Sequence, residues 1–174
     1  WLVSGAAFGD TTDANVEDVA FLTISGDQSG AYFGTAASFI GDVDGDGVQD
    51  VAISAIFSQQ NGWEQAGTVG IFATDQTGDV SLADPDHHVM GWFDSQEYGS
   101  DMQPAGDLDG DGYDDWMVAG AGVIAQILPG GVSTPDPELD ALFQLYAQAE
   151  GDRCEPHMLG DVDGDGEVDL GCTD

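Results

Sequence analysis

Three apolar runs share one pattern: Val51-Ala52-Ile53-Ser54-Ala55, Trp116-Met117-Val118-Ala119-Gly120 and Leu170-Gly171-Cys172. None alternates apolar with polar residues, as a strand with one wet face would. Small and branched residues on both faces imply strands packed against another sheet on each side. Each run leaves a dense Asp/Gly segment that a second strand must enter, so the entering strand is named A and the leaving strand B. Periodicity then predicts A at 36–41, B at 51–56 and C at 68–74. The matching D strand is poorly marked, near 80–92, where Pro85 and several Asp interrupt the pattern. A second unit has A at 102–106, B at 116–121, C at 123–128 and D near 142–149. That last stretch also has helical composition (Glu138, Leu139, Ala141, Leu142, Leu145), and strand is the expectation retained. Residues 1–7 align with 116–122 without a gap; with 16–25 they supply B and C of a preceding unit. Residues 156–160 and 168–173 supply A and B of a following one. The expected division is therefore 1–32, 33–96, 97–152 and 153–174.

The segments between A and B repeat closely. Asp42-Val43-Asp44-Gly45-Asp46-Gly47-Val48-Gln49-Asp50 returns as Asp107-Leu108-Asp109-Gly110-Asp111-Gly112-Tyr113-Asp114-Asp115. It returns again as Asp161-Val162-Asp163-Gly164-Asp165-Gly166-Glu167-Val168-Asp169. Carboxylates at positions one, three, five and nine repel one another unless a cation sits among them. An oxygen-only donor set on a glycine-rich loop suits Ca²⁺, a hard ion taking six to eight oxygens. The expected ligands are the side chains of Asp42, Asp44, Asp46 and Asp50, of Asp107, Asp109, Asp111 and Asp115, and of Asp161, Asp163, Asp165 and Asp169. The backbone carbonyl at position seven, on Val48, Tyr113 and Glu167, completes each set, giving about three Ca²⁺ ions, one per loop. A plain Asp/Gly turn that binds nothing is the ordinary alternative, and three copies in one register argue against it. The EF-hand shares the D-x-D-x-D-G opening but needs a bidentate Glu at position twelve. Here position twelve is Ile53, Val118 and Cys172, which excludes it.

One metal loop per unit, with both faces of the B strands covered, favours four-stranded antiparallel blades stacked around an axis over a flat sandwich. The fold class expected is all-β, a segment of a larger β-propeller. Beginning and ending on B strands, the chain reads as a piece of a longer protein, with an Asp expected before Trp1.

Charge narrows the function. The chain of 174 residues holds 34 acids against one base, Arg153, for a net charge of −33. The three loops hold fourteen of those acids, and three Ca²⁺ ions would offset only six charges. Nucleic acid and anionic membrane surfaces are excluded as partners, since nothing here could neutralise phosphates. So acidic a surface suits saline surroundings, and a marine or halophilic source is the expectation. Acidity can signal disorder, but 41% hydrophobic residues and four Trp belong to a folded chain. The longest uncharged stretch, from Trp116 to Pro135, is interrupted by Gly, Gln and Pro and is too short in its apolar part to span a bilayer.

An aromatic-Gly pair lies eight residues before each of the first two loops, as Phe33-Gly34 and Tyr98-Gly99, and Gly41, Gly106 and Gly160 immediately precede the three loops. Phe33-Gly34, the Gly41 to Gly47 loop and Asp50 to Ala55, taken together, resemble the FG-GAP repeat of integrin α-subunit β-propellers. The resemblance runs from residue 33 to 174, and 1–25 continues it. It implies a seven-bladed propeller with Ca²⁺ in the A–B hairpin loops of certain blades. The third repeat departs from it, with Asp152-Arg153 in place of the aromatic-Gly. The Gly-Ala-Pro signature survives only loosely, as Ser54-Ala55-Ile56 and Gly120-Ala121-Gly122.

Other chemistry is sparse. Without lysine there is neither a P-loop nor a Schiff base, and no G-x-S-x-G elbow occurs. His87-His88 beside Asp84 and Asp86 could ligate Zn²⁺, but Pro85 favours a solvated loop. His157 is expected to pack within an A strand. Cys154 and Cys172 flank the third loop and are either bonded, as in an exported protein, or one buried and one free. Trp63, Trp92 and Phe93 either stack on a partner or pack between blades. The function expected is non-enzymatic: an extracellular Ca²⁺-binding propeller segment for cell adhesion or for protein or glycan recognition. Its partners would be an unidentified protein or glycan and the rest of a longer propeller chain or neighbouring subunits. A calcium-assembled surface-layer or filament protein, and an accessory domain of a secreted hydrolase or lyase, are the alternatives.

Overall fold

A computed structural model describes residues 1–4, 15–121, 123–132, 134–146, 155–164 and 168–173. Strand β1 is Leu2–Val3, the one-turn helix α1 is Val16–Val19, and β2 is Ala20–Ser25. There follow β3 (Phe33–Gly41), β4 (Asp50–Ala55), β5 (Thr68–Ala73), β6 (Gly78–Ser81) and β7 (His87–Met90). The second half adds β8 (Asp101–Gly106), β9 (Asp115–Gly120), β10 (Val123–Leu128), β11 (Phe143–Tyr146), β12 (Glu155–Gly160) and β13 (Asp169–Thr173). Two four-stranded antiparallel sheets have the orders β3-β4-β5-β7 and β8-β9-β10-β11. An antiparallel pair, β12-β13, follows them, and a three-stranded sheet, β1-β2-β6, precedes them. The molecule is all-β, and its antiparallel blades are those of a β-propeller segment.

Three of the strand expectations need correction. The region expected to form one D strand is divided: β7 closes its own blade, while β6 pairs in parallel with β2, Leu22 opposite Gly78 and Ser25 opposite Ser81. The first sheet therefore takes its outer strand from a later part of the chain, and that strand is parallel. Pro85 and its neighbouring Asp residues mark the break between the two pieces. His87 and His88 lie in β7 opposite Ile71 and Gly70, not in a solvated loop. Residues 16–19 form a helical turn ahead of β2, where strand was expected. In the segment with mixed composition, β11 is a strand whose Phe143, Gln144 and Leu145 pair with β10.

Period-two alternation on the B strands divides their side chains between two different cores. Val51, Ile53 and Ala55 of β4 face the first sheet, packing with Leu22, Ile24, Ala31, Phe72 and Leu82. Ala52, on the other face, joins Ile40, Val69, Ile71 and Val89 against Tyr98, Met102, Trp116, Val118 and Leu128 of the next blade. Met117, Ala105, Ala125 and Ile127 look the other way, toward Met158 and Leu170 of β12-β13. Both faces are buried, so the B strands show no hydrophobic–polar alternation. Three stacked interfaces thus account for the missing alternation.

Tyr98-Gly99, the aromatic-Gly pair, sits at the central interface. Tyr98 is fully buried, contacts Trp92 edge-on at 5.5 Å between ring centroids, and donates from its hydroxyl to Gln126 Oε1 at 2.6 Å. Gln126 Nε2 in turn donates to the Pro137 carbonyl at 2.7 Å. Trp92 thus packs against the interblade core, whereas Trp63 is 43% exposed on the β4–β5 connection. That connection is tied to the blade exit: the N–H groups of Ser95, Glu97 and Tyr98 donate to the carbonyls of Glu64, Gln65 and Ala66. Gly67 makes the close approach possible, since a Cβ there would strike the Tyr98 backbone and its φ is +89°. Cys172 is disulfide-bonded; the sequence has one other cysteine, Cys154, which lies outside the described residues. His157 is half-buried in β12, as expected of an A strand.

Candidate metal centres

The acidic segments join β3 to β4, β8 to β9 and β12 to β13, so each is the A–B hairpin loop of its sheet. Their fold is written in local hydrogen bonds from backbone N–H to carboxylate, the Asx geometry open to Asp in turns. Asp42 accepts from Gly45 N at 2.8 Å through Oδ1 and from Gly47 N at 2.8 Å through Oδ2. Asp107 repeats this with Gly110 N at 2.8 Å and Gly112 N at 3.0 Å, and Asp161 accepts from Gly164 N at 2.6 Å. Asp44 accepts from Asp46 N, and Asp109 from Asp111 N, both at 3.0 Å. Position four needs glycine because φ there is +79°, +78° and +83° in the three loops, the left-handed region.

The ninth residue closes each loop. Asp50 Oδ2 accepts from Val43 N at 3.0 Å, Asp115 Oδ2 from Leu108 N at 2.8 Å, and Asp169 Oδ2 from Val162 N at 2.8 Å. In the ladders these same residues stand opposite Gly41, Gly106 and Gly160, the glycines that precede the loops. Carboxylate oxygens of Asp42, Asp44 and Asp50 converge within 4.8 Å of one another. Those of Asp107, Asp109 and Asp115, and of Asp161, Asp163 and Asp169, do the same. Asp46 and Asp111 stand outside these groups, each accepting instead from the N–H two residues on, Val48 at 2.7 Å and Tyr113 at 2.9 Å. Val48 and Tyr113 occupy position seven on the exposed side of their loops. Asp165 and Glu167 lie outside the described residues.

Each converging set is three anionic oxygens, and no described residue has a Lys or Arg side chain to neutralise them. Like charges this close repel by roughly 3 kcal/mol per pair at an effective dielectric near 20. The two buried carboxylates of these sets, Asp50 and Asp115, carry the cost of burial together with that of repulsion. Asp50, 1% exposed, has its pKa pushed up from 3.8 to about 7, chiefly by burial and further by the charges of Asp44 and Asp46, against the Val43 hydrogen bond. Asp115 is raised for the same reasons, burial first, then Asp109 and Asp111, while bonds from Leu108 and Gly130 oppose the shift. A hard divalent cation fits this donor set, supplying the missing positive charge to oxygen ligands alone.

Sequence reasoning missed that the first two loops touch. Asp114, which is not among the expected ligands, accepts from Asp42 N through Oδ2 at 2.9 Å, and its own N–H donates to the Asp42 carbonyl at 2.9 Å. The Tyr113 ring covers Gly45, where a Cβ would come within 2.5 Å of Cε1. Gly130 N donates to Asp115 Oδ1 at 3.0 Å, and the adjacent Gly131 N donates to the Val43 carbonyl at 2.7 Å. The only signals in the sequence are an extra Asp at position eight of the second loop and a Gly-Gly pair after β10.

Fold and site together define a β-propeller segment with metal-competent acidic hairpin loops. The chain is similar to integrin alpha-5 of Xenopus laevis, 35% identical over 113 residues, which are 63% of this chain and 10% of that protein. It thus spans about a tenth of the length of that relative. No family model matches the chain.

Proposed function

We propose that this is a non-enzymatic, extracellular, Ca²⁺-binding β-propeller segment that serves cell adhesion or protein or glycan recognition. The observation that carries the reading is the threefold convergence of carboxylates at the same place in three successive sheets, one set per A–B hairpin. The similarity to an integrin α chain supports the extracellular, adhesive side of it. The residues proposed to hold Ca²⁺ are Asp42, Asp44, Asp46, Asp50 and the Val48 carbonyl, with their counterparts in the other two loops. When bound, the ion supplies charge neutralisation and cross-links the two strands of each hairpin. The chain's own part is to hold the oxygens ready through the Asx bonds and the closing bonds of Asp50, Asp115 and Asp169. Stiffened hairpins hold one end of the blades, and the exposed Trp63 lies at the opposite end of β4, on the β4–β5 connection. Trp63 sits on a connection braced by backbone bonds from Ser95, Glu97 and Tyr98.

Calorimetric titration of the chelator-treated chain with CaCl2, with MgCl2 as comparison, tests the metal reading. Saturable Ca²⁺ binding accompanied by a rise in melting temperature is expected, because a ligand that binds only the folded state stabilises it. No binding heat and an unchanged melting temperature would overturn it. Captured ligand on immobilised extracellular-matrix proteins and glycans, lost in chelator, tests the recognition reading; calcium-driven self-assembly without such capture would point to the structural alternative.

A further inference from the structure

The contact between the first two loops is built from both sides and ends on candidate ligands at each end. From the second loop, Asp115 accepts from Gly130 N, and the neighbouring Gly131 N bonds the Val43 carbonyl. Val43 N then bonds Asp50, a candidate ligand of the first loop. Beside this path, Asp114 clasps both the N–H and the carbonyl of Asp42, and the Tyr113 ring lies over Gly45. Any cation that draws Asp107, Asp109 and Asp115 together must fix the backbone of 113–115, and with it the backbone of 42–45. Position eight is Asp114 in this loop and Val168 in the third, whose side chain has no acceptor.

We propose that Asp114 and Tyr113 couple the first two cation sites, so that filling one raises the affinity of the other. The proposal rests on the Ca²⁺ reading of the loops. Its physical basis is linkage: an ion that pre-orders a neighbour's ligands lowers the ordering cost of the second ion, and the effect is reciprocal. Asp114 acts here as a positioning residue, through Asp42, and not as a ligand.

The test uses the full chain carrying Asp161→Ala and Asp163→Ala, which leaves the first two sites, titrated with CaCl2 by calorimetry. Two ions are expected to bind with positive cooperativity. Adding Asp107→Ala and Asp109→Ala should weaken binding at the first site by roughly fivefold or more. In the two-site background Asp114→Ala should make the ions bind independently, while Asp114→Asn, which keeps an acceptor for Asp42 N, should restore coupling. Tyr113→Ala keeps the backbone carbonyl and loses only the ring, so it serves as the second variant and should lower coupling in the same direction. Far-UV circular dichroism selects the variants that fold. Equal first-site affinity with and without the second site, or coupling unchanged in both Asp114→Ala and Tyr113→Ala, would overturn the proposal. Absence of Ca²⁺ binding in the unmutated chain would overturn the metal reading beneath it, a distinguishable result.

Discussion

Replacing Asp50 with Asn separates the two roles assigned to this buried carboxylate, because its effect on stability should change sign with Ca²⁺. Without the cation, a folded-state pKa near 7 against 3.8 is a shift of about three units, or roughly 4 kcal/mol of cost for keeping Asp50 ionised above pH 7. Asn removes the charge and keeps an oxygen for the Val43 N–H, a bond of 3.0 Å. Its new amide protons offset part of the gain, since a buried donor without a partner costs about 1–3 kcal/mol. In chelator at pH 8, Asp50→Asn should therefore stabilise the chain by roughly 1–3 kcal/mol. With Ca²⁺ at about 1,000 times Kd, the unmutated loop gains roughly 4.1 kcal/mol that the variant loses, more than the gain in chelator. Urea titration followed by tryptophan fluorescence reads both states, since Trp116 is buried between the blades. Equal destabilisation in chelator and in Ca²⁺ would refute the reasoning, for it would mean that Asp50 acts through its hydrogen bond alone.

The pH dependence follows from the same residue. Because Asp50 binds its proton more tightly folded (about 7) than unfolded (3.8), its contribution is fully present below pH 4 and is lost as pH rises through 7. Melting temperature in chelator should fall across that window, less so in Asp50→Asn, and saturating Ca²⁺ should reverse the slope; an identical slope in both proteins would sink this account. Tyr98→Phe strips the donor from buried Gln126 Oε1 and should cost about 1–3 kcal/mol by urea titration, with or without Ca²⁺. Gly67→Ala should cost roughly 1–3 kcal/mol from its φ of +89° alone, and more from the collision with Tyr98. A melting temperature within a degree of the unmutated chain would show that the β4–β5 connection yields easily.

Much of the fold was legible because its signals are local. A B strand announces itself by apolar side chains on both faces, and β4 and β9 follow their expected spans to within a residue or so. The division of the D region did not show. Gly78 to Ser81 carries too few apolar residues to reveal a strand, and its pairing with Leu22 to Ser25 is made across more than fifty residues of chain. His87 and His88 misled for a related reason: beside Pro85 and two Asp they read as a loop, while the edge of β5 was available to pair with them.

The loops show where the boundary lies. Sequence spacing places positions one, three, five and nine within a single nine-residue turn, and the structure brings one, three and nine together while Asp46 and Asp111 turn to N–H groups of their own loops. Local geometry also required glycine at position four. That Asp114 would reach Asp42, 72 residues earlier, was decided only when the two blades stacked on the core around Tyr98 and Trp116 and brought their hairpins edge to edge. Short-range hydrogen bonds are specified by spacing, whereas contact between distant loops is specified by packing, which no local pattern records.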